Sequence, residues 1–212
     1  MKTLITIYVV RHGQTEFNVK KIIGGTLEPN PLSKIGKKQA YKLGKKFKDV
    51  KIDFIYSSDL SRARETAEII ASFKNMPVSI DKLLRERRWG KLQGKIFDEA
   101  QKIYKKAFIK EAKIEGEDAL NFKYVPDMES LKNTVNRFKR FLKKMVVKHP
   151  GKITLVVCHF DIMIGFLVSI GFGSYQELMN SKFDHAGYYK LTYQKGNFSV
   201  EEIIGLNKNI SP

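Results

Sequence analysis

Cysteine is almost missing from this 212-residue chain. Cys158 stands alone, so no disulfide can form within the chain, and a reducing, cytoplasmic setting is expected. Acidic residues are scarce beside basic ones, 22 against 39, and the formal net charge is +17. That balance concentrates anions near the protein, whether phosphate metabolites, nucleic acid or an acidic membrane, without choosing among them. Long apolar runs are lacking too. None approaches the roughly 20 residues needed to span a bilayer, so no membrane partner is expected. The apolar run before Arg11 is short and β-branched, with no small-residue cleavage site, and reads as a buried strand rather than a secretion signal. No close histidine pair at helical spacing suggests zinc, and no metal is expected. Gly24-Gly25-Thr26 lacks the lysine of a P-loop and reads as a turn. Repeats and low-complexity stretches are absent, and one domain over 1–212 is expected.

What is present alternates between strand-like and helix-like segments. Residues 4–10 form a continuous β-branched run, the pattern of a strand covered on both faces. Ser33 can cap a helix whose apolar positions are Ile35, Ala40, Leu43 and Phe47. Short strands are expected at 54–56 and 78–80, with a helix at 61–73 between them. A helical period runs through Leu131, Val135, Phe138, Leu142 and Met145 within 128–147, ended by Pro150-Gly151. A buried strand at 153–158 then leads into an apolar helix near 162–170. The tail reads as a hairpin, 188–193 and 198–204, around Lys195-Gly196-Asn197. The expected fold class is α/β, a three-layer sandwich with a largely parallel central sheet and helices on both faces. Residues 94–127, rich in charge and poor in strand signal, are expected as a small helical cap excursion.

In open α/β sheets ligands bind beyond the carboxyl ends of the strands. Four such ends carry unusual residues. The first strand runs into Arg11-His12-Gly13-Gln14-Thr15, and the second ends in Ser57-Ser58-Asp59 with Arg62 just beyond. The third leads to Leu84-Arg85-Glu86-Arg87, and the fourth ends at Cys158-His159. Parallel strands bring these ends to one edge, so two histidines, two arginines and a glutamate converge. Phosphoryl transfer spreads negative charge over three oxygens and is catalysed chiefly by positioning and electrostatics. Arg11 and Arg62 supply forked, permanently charged donors, and a neutral imidazole is a competent nucleophile. Gly13 allows close approach of backbone and phosphate. Glu86 is the evident proton donor for a leaving alkoxide, with an acid from 94–127 as the alternative.

The ordered motifs resemble the histidine phosphatase superfamily, in its phosphoglycerate-mutase-like branch. They are Arg11-His12-Gly13-Gln14-Thr15 with Asn18, Pro31 to Gly36 with Gln39-Ala40, and Ser57-Ser58-Asp59-Leu60 with Arg62 and Thr66-Ala67. Arg85-Glu86-Arg87 with Gly90 and Gly94, Glu129-Ser130-Leu131 and His159 complete the set. The resemblance implies that His12 becomes phosphorylated, while Arg11, Arg62 and His159 bind the transferring group. Asn18 and the backbone near Gly24 would assist, and Glu86 would give and then take the proton. One departure stands out: the family usually has glycine after the second histidine, and this chain has Phe160. Its ring must turn from the phosphate or line the pocket mouth.

Other residues have plainer readings. His149 and His185 carry no motif and are expected to be structural or solvent-exposed. Cys158 is expected to be a buried thiol, diverging from His159 because successive strand residues face opposite sides. Arg62 could instead pair with Asp59 or Glu65, and Trp89 could be pocket wall or core.

The favoured function is metal-independent hydrolysis of a small anionic phosphometabolite, without cofactor, as a histidine-type acid phosphatase or phosphoglycerate-mutase-like phosphoryl transferase. The high charge suits multiply phosphorylated or carboxylated substrates. The alternative is a 2,3-bisphosphoglycerate-dependent phosphoglycerate mutase, toward which Arg87-Arg88-Trp89-Gly90 leans. A remote alternative is a basic nucleic-acid-binding protein with a decayed pocket. The lysine-rich helices carry no aromatic–basic binding motif, so no nucleic-acid partner is expected. A homodimer is left open.

Overall fold

The structure, a computed structural model, describes residues 4–207, so the expected domain range of 1–212 extends beyond it at both ends. Six strands build one mixed sheet: β1 (Ile5–Arg11), β2 (Phe54–Ser57), β3 (Val78–Ile80), β4 (Ile153–Cys158), β5 (Lys182–Gln194) and β6 (Asn197–Asn207). Their spatial order is β3-β2-β4-β1-β5-β6. The first four run parallel, and β5 and β6 add an antiparallel edge.

The helices are α1 (Glu16–Val19), α2 (Lys34–Phe47), α3 (Ser61–Ser72), α4 (Phe97–Ile103), α5 (Lys105–Glu111), α6 (Gly116–Asn121), α7 (Leu131–Lys148), α8 (Phe160–Ser169) and α9 (Tyr175–Met179). Both faces of the sheet are covered. Ile5, Ile7, Val9, Val156 and Cys158 pack against Phe138, Phe141 and Leu142 of α7 and Ile162 and Phe166 of α8. Val10, Ile55, Leu155 and Val157 pack against Leu43 and Phe47 of α2 and Ala63, Ala67 and Ile70 of α3. The strands are therefore apolar on both sides, which is why they read as continuous β-branched runs. Cys158 is buried among the α7–α8 side chains, and burial pushes its thiol up.

The helix starts follow their caps. Ser33 Oγ accepts from Gly36 N at 3.1 Å, and Ser130 Oγ from Asn133 N at 3.2 Å, so α7 begins at Leu131 and not at 128. Ile35, expected on the buried face of α2, is 56% exposed. The stripe facing the sheet runs through Gly36, Ala40, Leu43, Gly44 and Phe47, spaced by three and four residues, and position 35 falls beside it. The hairpin is longer than the tail pattern suggests. Lys195 and Gly196 both have positive φ, +52° and +99°, as a two-residue loop of matching twist requires. At its other end, the pairing of β5 with β6 slips between Phe183 and Tyr188, and that irregular stretch lies against the end of β1. Residues 94–127 contain the three short helices α4, α5 and α6.

Helix α2 touches the loop after β1 backbone to backbone. A Cβ on Gly36 would lie 2.0 Å from the Gln14 carbonyl oxygen, and one on Gly13 would lie 2.6 Å from the Gly36 carbonyl oxygen. Neither neighbour is a flexible side chain. Gly36→Ala is therefore expected to destabilise the fold by about 2–4 kcal/mol, more than a helix-interior glycine usually governs. Urea denaturation of wild type and variant checks this.

Candidate active site

The central pairing of β1 with β4 sets the site. Arg11 lies opposite Cys158, and His12 N donates to the Cys158 carbonyl at 3.0 Å. The next residues on each strand, His12 and His159, therefore stand side by side, with ring centroids 5.1 Å apart. His12 is 4% exposed and His159 fully buried. His12 Nδ1 lies 2.7 Å from the Gly13 carbonyl oxygen. A carbonyl only accepts, so Nδ1 carries the proton and Nε2 keeps its lone pair. Burial, then Arg62 and Arg11, hold His12 well below the usual imidazole range, so the ring is neutral at neutral pH. Burial and the same arginines do likewise for His159.

Arg62, buried on the first turn of α3, donates from Nε to His12 Nε2 at 3.2 Å and from Nη2 to the Gly25 carbonyl at 2.7 Å. Its Nη1 lies 3.5 Å from Glu28 Oε1. It pairs with neither Asp59 nor Glu65. Asp59 is instead held by both arms of Arg85, at 2.6 and 2.8 Å. Arg11 donates from Nη1 to the Phe183 carbonyl, and its guanidinium carbon lies 5.1 Å from the centroid of the Phe160 ring. Burial lowers Arg11 to about 10, which still leaves it charged at neutral pH. Among the described residues, Arg11 Nε, Arg62 Nη1 and both ring nitrogens of His159 are buried without a hydrogen-bond partner. Such atoms cost about 1–3 kcal/mol each when left unpaired. Arg11 and Arg62 line the pocket with His12 and give it donor capacity fit for an anion's oxygens. His159 packs beside the His12 ring and is not among the lining residues.

Glu86 follows a short 3₁₀ turn, Lys82–Leu84, and faces the same pocket. Its Oε1 accepts from Arg87 N at 2.8 Å, and Oε2 makes only a long 3.4 Å contact with Asp161 N. Burial, then the Asp161 carboxylate, raise Glu86 to about 7. Asp161, which in sequence suggests only a metal ligand beside His159 and His12 that no histidine spacing supports, is a second carboxylate of the pocket. It opens α8 two residues after His159, is buried, and accepts from Trp89 Nε1 at 2.9 Å. Its visible signal is an acid in the first turn after a strand-end histidine, but first-turn acids ordinarily serve helix capping. Trp89 and Phe160 both line the pocket wall, so Phe160 takes the second of its two allowed placements.

The pocket, about 430 Å³, also takes in Asn18 and the Gly24-Gly25 backbone. Asn18 Oδ1 is committed to Thr15 N at 3.0 Å in a capping box, leaving its NH₂ group to meet a ligand. Gly13 has a packing constraint of its own, and its N–H donates to Thr66 Oγ1 at 3.0 Å. It is glycine because Gly36 lies against it. His185, expected as structural or exposed, departs from that expectation. Its ring lies 6.0 Å from that of His12, and Ala186 N donates to the His12 carbonyl at 3.3 Å. The antiparallel register of β5 on β1, which sets Val10 opposite Tyr188, brings it there when carried two residues further. His149 is structural as expected, 2.9 Å from the Tyr56 hydroxyl and stacked on Phe54.

A family model, the histidine phosphatase superfamily (branch 1), matches residues 7–204. The chain belongs to that superfamily. It is 37% identical over 159 residues to phosphoglycerate mutase-like protein 4 of Arabidopsis thaliana, covering 74% of this chain and 67% of that one. It is 35% identical over 158 residues to the fructose-2,6-bisphosphatase TIGAR of Bos taurus, covering 71% of this chain and 55% of the relative. The crystal structure of a phosphoglycerate mutase from Bacillus anthracis superposes with a TM-score of 0.83 at 25% identity, covering 96% and 94% of the two chains. As a member of the superfamily this histidine phosphatase is a phosphoryl-transfer enzyme, and the α/β architecture is the family's own. Among the described residues, no three His, Cys, Asp or Glu side chains are grouped to hold a metal ion, and no helix is long and apolar enough to cross a membrane.

The charge on Glu86 should depend on Asp161. A carboxyl held above its ordinary value is protonated below about 7 and loses its proton as pH rises through that value. Removing the neighbouring charge in Asp161→Asn is expected to move the alkaline limb of the kcat/KM profile about one pH unit lower. An unmoved limb would show that Asp161 does not set the state of Glu86.

Proposed function

We propose that this histidine phosphatase hydrolyses a small phosphomonoester, without a metal, through a phosphohistidine formed on His12. The observation supporting this reading is the neutral His12, whose Nε2 meets the Arg62 guanidinium at 3.2 Å in a pocket that also holds Arg11 and Glu86. His12 Nε2 attacks phosphorus while the bond to the leaving oxygen breaks, and Glu86 gives that oxygen its proton. Glu86, now a carboxylate, takes a proton from water as the water oxygen joins phosphorus. The P–N bond then breaks and its electron pair returns to Nε2. Arg11 and Arg62 stay charged throughout, and the two histidines stay neutral until attack, so the positive field comes from guanidinium groups.

Two features favour hydrolysis over the 2,3-bisphosphoglycerate-dependent mutase reading. Arg87, which lends the mutase reading its weight, is buried and committed to the Glu129 and Phe122 carbonyls at 2.8 and 2.9 Å. Beyond the two phosphoryl-facing arginines, the one lysine lining the pocket, Lys21, is paired with Asp98 at 3.2 Å. The outer walls are Phe17, Ile22, Ile23, Trp89, Phe97 and Phe160, which suit an apolar leaving group better than a second phosphate or a carboxylate. The large net charge therefore does not identify a multiply anionic substrate. No nucleic-acid role is proposed. We place the enzyme in the cytoplasm, where a lone cysteine buried in the core meets no oxidising demand.

His12→Ala is expected to abolish acid-labile phosphoenzyme and to lower phosphate release by more than about 10⁴-fold in rapid-quench experiments. Glu86→Gln should cost about 10²–10³-fold with alkyl phosphates but far less with p-nitrophenyl phosphate, whose leaving group needs no proton. Isomerisation of 2- and 3-phosphoglycerate faster than phosphate release would favour the mutase. Loss of activity in chelator, restored by a divalent ion, would sink the metal-free mechanism.

A further inference from the structure

A second cleft, about 820 Å³, lies on the far side of the His12 loop from the catalytic pocket. One wall is α2, which offers Lys42, Lys45 and Lys46 at i, i+3 and i+4 on a single face. The opposite wall is the irregular start of β5, which offers Lys182. Asp184 is the cleft's only acid, and it sits 3.6 Å from Lys182. Asp184 is engaged by Lys182, and none of the three lysines of α2 forms an ion pair among the described residues, so an anion would relieve their mutual repulsion. The floor is different in kind. Leu43, Ala186 and the Tyr188 ring form an apolar platform, with the Lys46 ammonium 4.8 Å from the ring centroid. Cations above an apolar platform suit a molecule that carries phosphate on a flat or apolar body.

The same cleft touches what holds the nucleophile. His185 lines it, lies 6.0 Å from the His12 ring, and keeps a buried Nε2 with no hydrogen-bond partner among the described residues. Its neighbour Ala186, at φ +59°, donates to the His12 carbonyl. Gln14 and Gln39 line the cleft too, and Gln39 Oε1 accepts from Gln14 N at 2.9 Å. The loop bearing His12 is thus a partition between two cavities.

We propose that this cleft binds a phosphate-bearing small molecule, and that its occupancy is felt at His12 through His185 and the Gln14 backbone. The binding stands on the cleft alone, whereas the coupling rests on His12 being the nucleophile. Methylenediphosphonate, whose P–C–P linkage is not hydrolysed, serves as the probe for calorimetric titration of the full chain. Wild type is expected to bind two equivalents. Lys42→Glu/Lys46→Glu should bind one, while keeping kcat/KM for an aryl phosphate within about twofold. Arg62→Ala should also bind one, in the second cleft. If charge reversal disturbs α2, Lys42→Gln/Lys46→Gln should still weaken the second equivalent by about tenfold. A single wild-type equivalent that Arg62→Ala abolishes, or two in the lysine variant, overturns the site. The coupling is read from inhibition: the diphosphonate should lower kcat as well as raise KM in wild type, and only raise KM in the lysine variant. Purely competitive inhibition of wild type overturns the coupling. A protein that turns over no phosphoester refutes the phosphatase reading and leaves the titration standing.

Discussion

The parallel pairing of β1 with β4 is the constraint on which the site depends. Backbone hydrogen bonds fix Arg11 opposite Cys158, and the chain then turns from each strand with a histidine at the same height. Neither ring could be held at 5.1 Å from the other, dry and neutral, on a mobile loop. The pairing is itself secured by packing on both faces, with Val9 and Val156 toward α7–α8 and Val10 and Val157 toward α2–α3. This rigidity matters because several buried donors have no protein partner. A softer frame would relax to pair them with one another or admit water.

A second layer of arginines, not facing the phosphoryl position, holds the acid in place. Arg137 of α7 donates to the carbonyls of Leu83, Arg85 and Glu86 and to both oxygens of Glu129. Arg85 grips Asp59, and Arg87 reaches the carbonyls of Glu129 and Phe122. The run Arg85–Arg88 thus resembles a solvated charge run in sequence but divides in space. Arg85 and Arg87 tie the segment down on either side of Glu86, whose carboxyl is left to the pocket. With its shape fixed by other residues, the segment can carry a carboxyl that desolvation has made a proton donor near neutrality.

Most of this was legible where function follows from one element at a time. Strand ends, the cap at Ser33, and the order of Arg11, His12, Arg62, Glu86 and His159 are local features, whereas the cap at Ser130 that starts α7 at Leu131 went unread. What was hidden depends on non-local geometry. His185 reaches His12 because the pairing of β5 with β1 continues past Tyr188 to set Ala186 at the His12 carbonyl, and no periodicity announces which strands pair. Asp161 resembles an ordinary helix-capping acid until Trp89, 72 positions away, is seen to donate to it. Gly13 read as room for phosphate, and the close approach of Gly36 stayed hidden, because composition cannot tell which neighbour a missing side chain accommodates. Net charge is silent for a similar reason: it sums over the surface, whereas recognition depends on which cations share a cavity.

Phe160 is the place where this chain departs from its family's usual glycine, and the structure gives the departure a physical sense. Arg11 must lie near a neutral histidine, buried enough to lose solvation, with its Nε unpaired among the described residues. The Phe160 ring, 5.1 Å from the guanidinium carbon, offers a negative π-face where glycine would offer none. Such a contact takes up no N–H group. The guanidinium can therefore be partly stabilised while its donors remain available for phosphoryl oxygens, which a carboxylate partner would not permit. The same ring adds apolar surface to the pocket wall. A residue that reads in sequence as an obstacle to phosphate thus packs against a pocket arginine without occupying its donors.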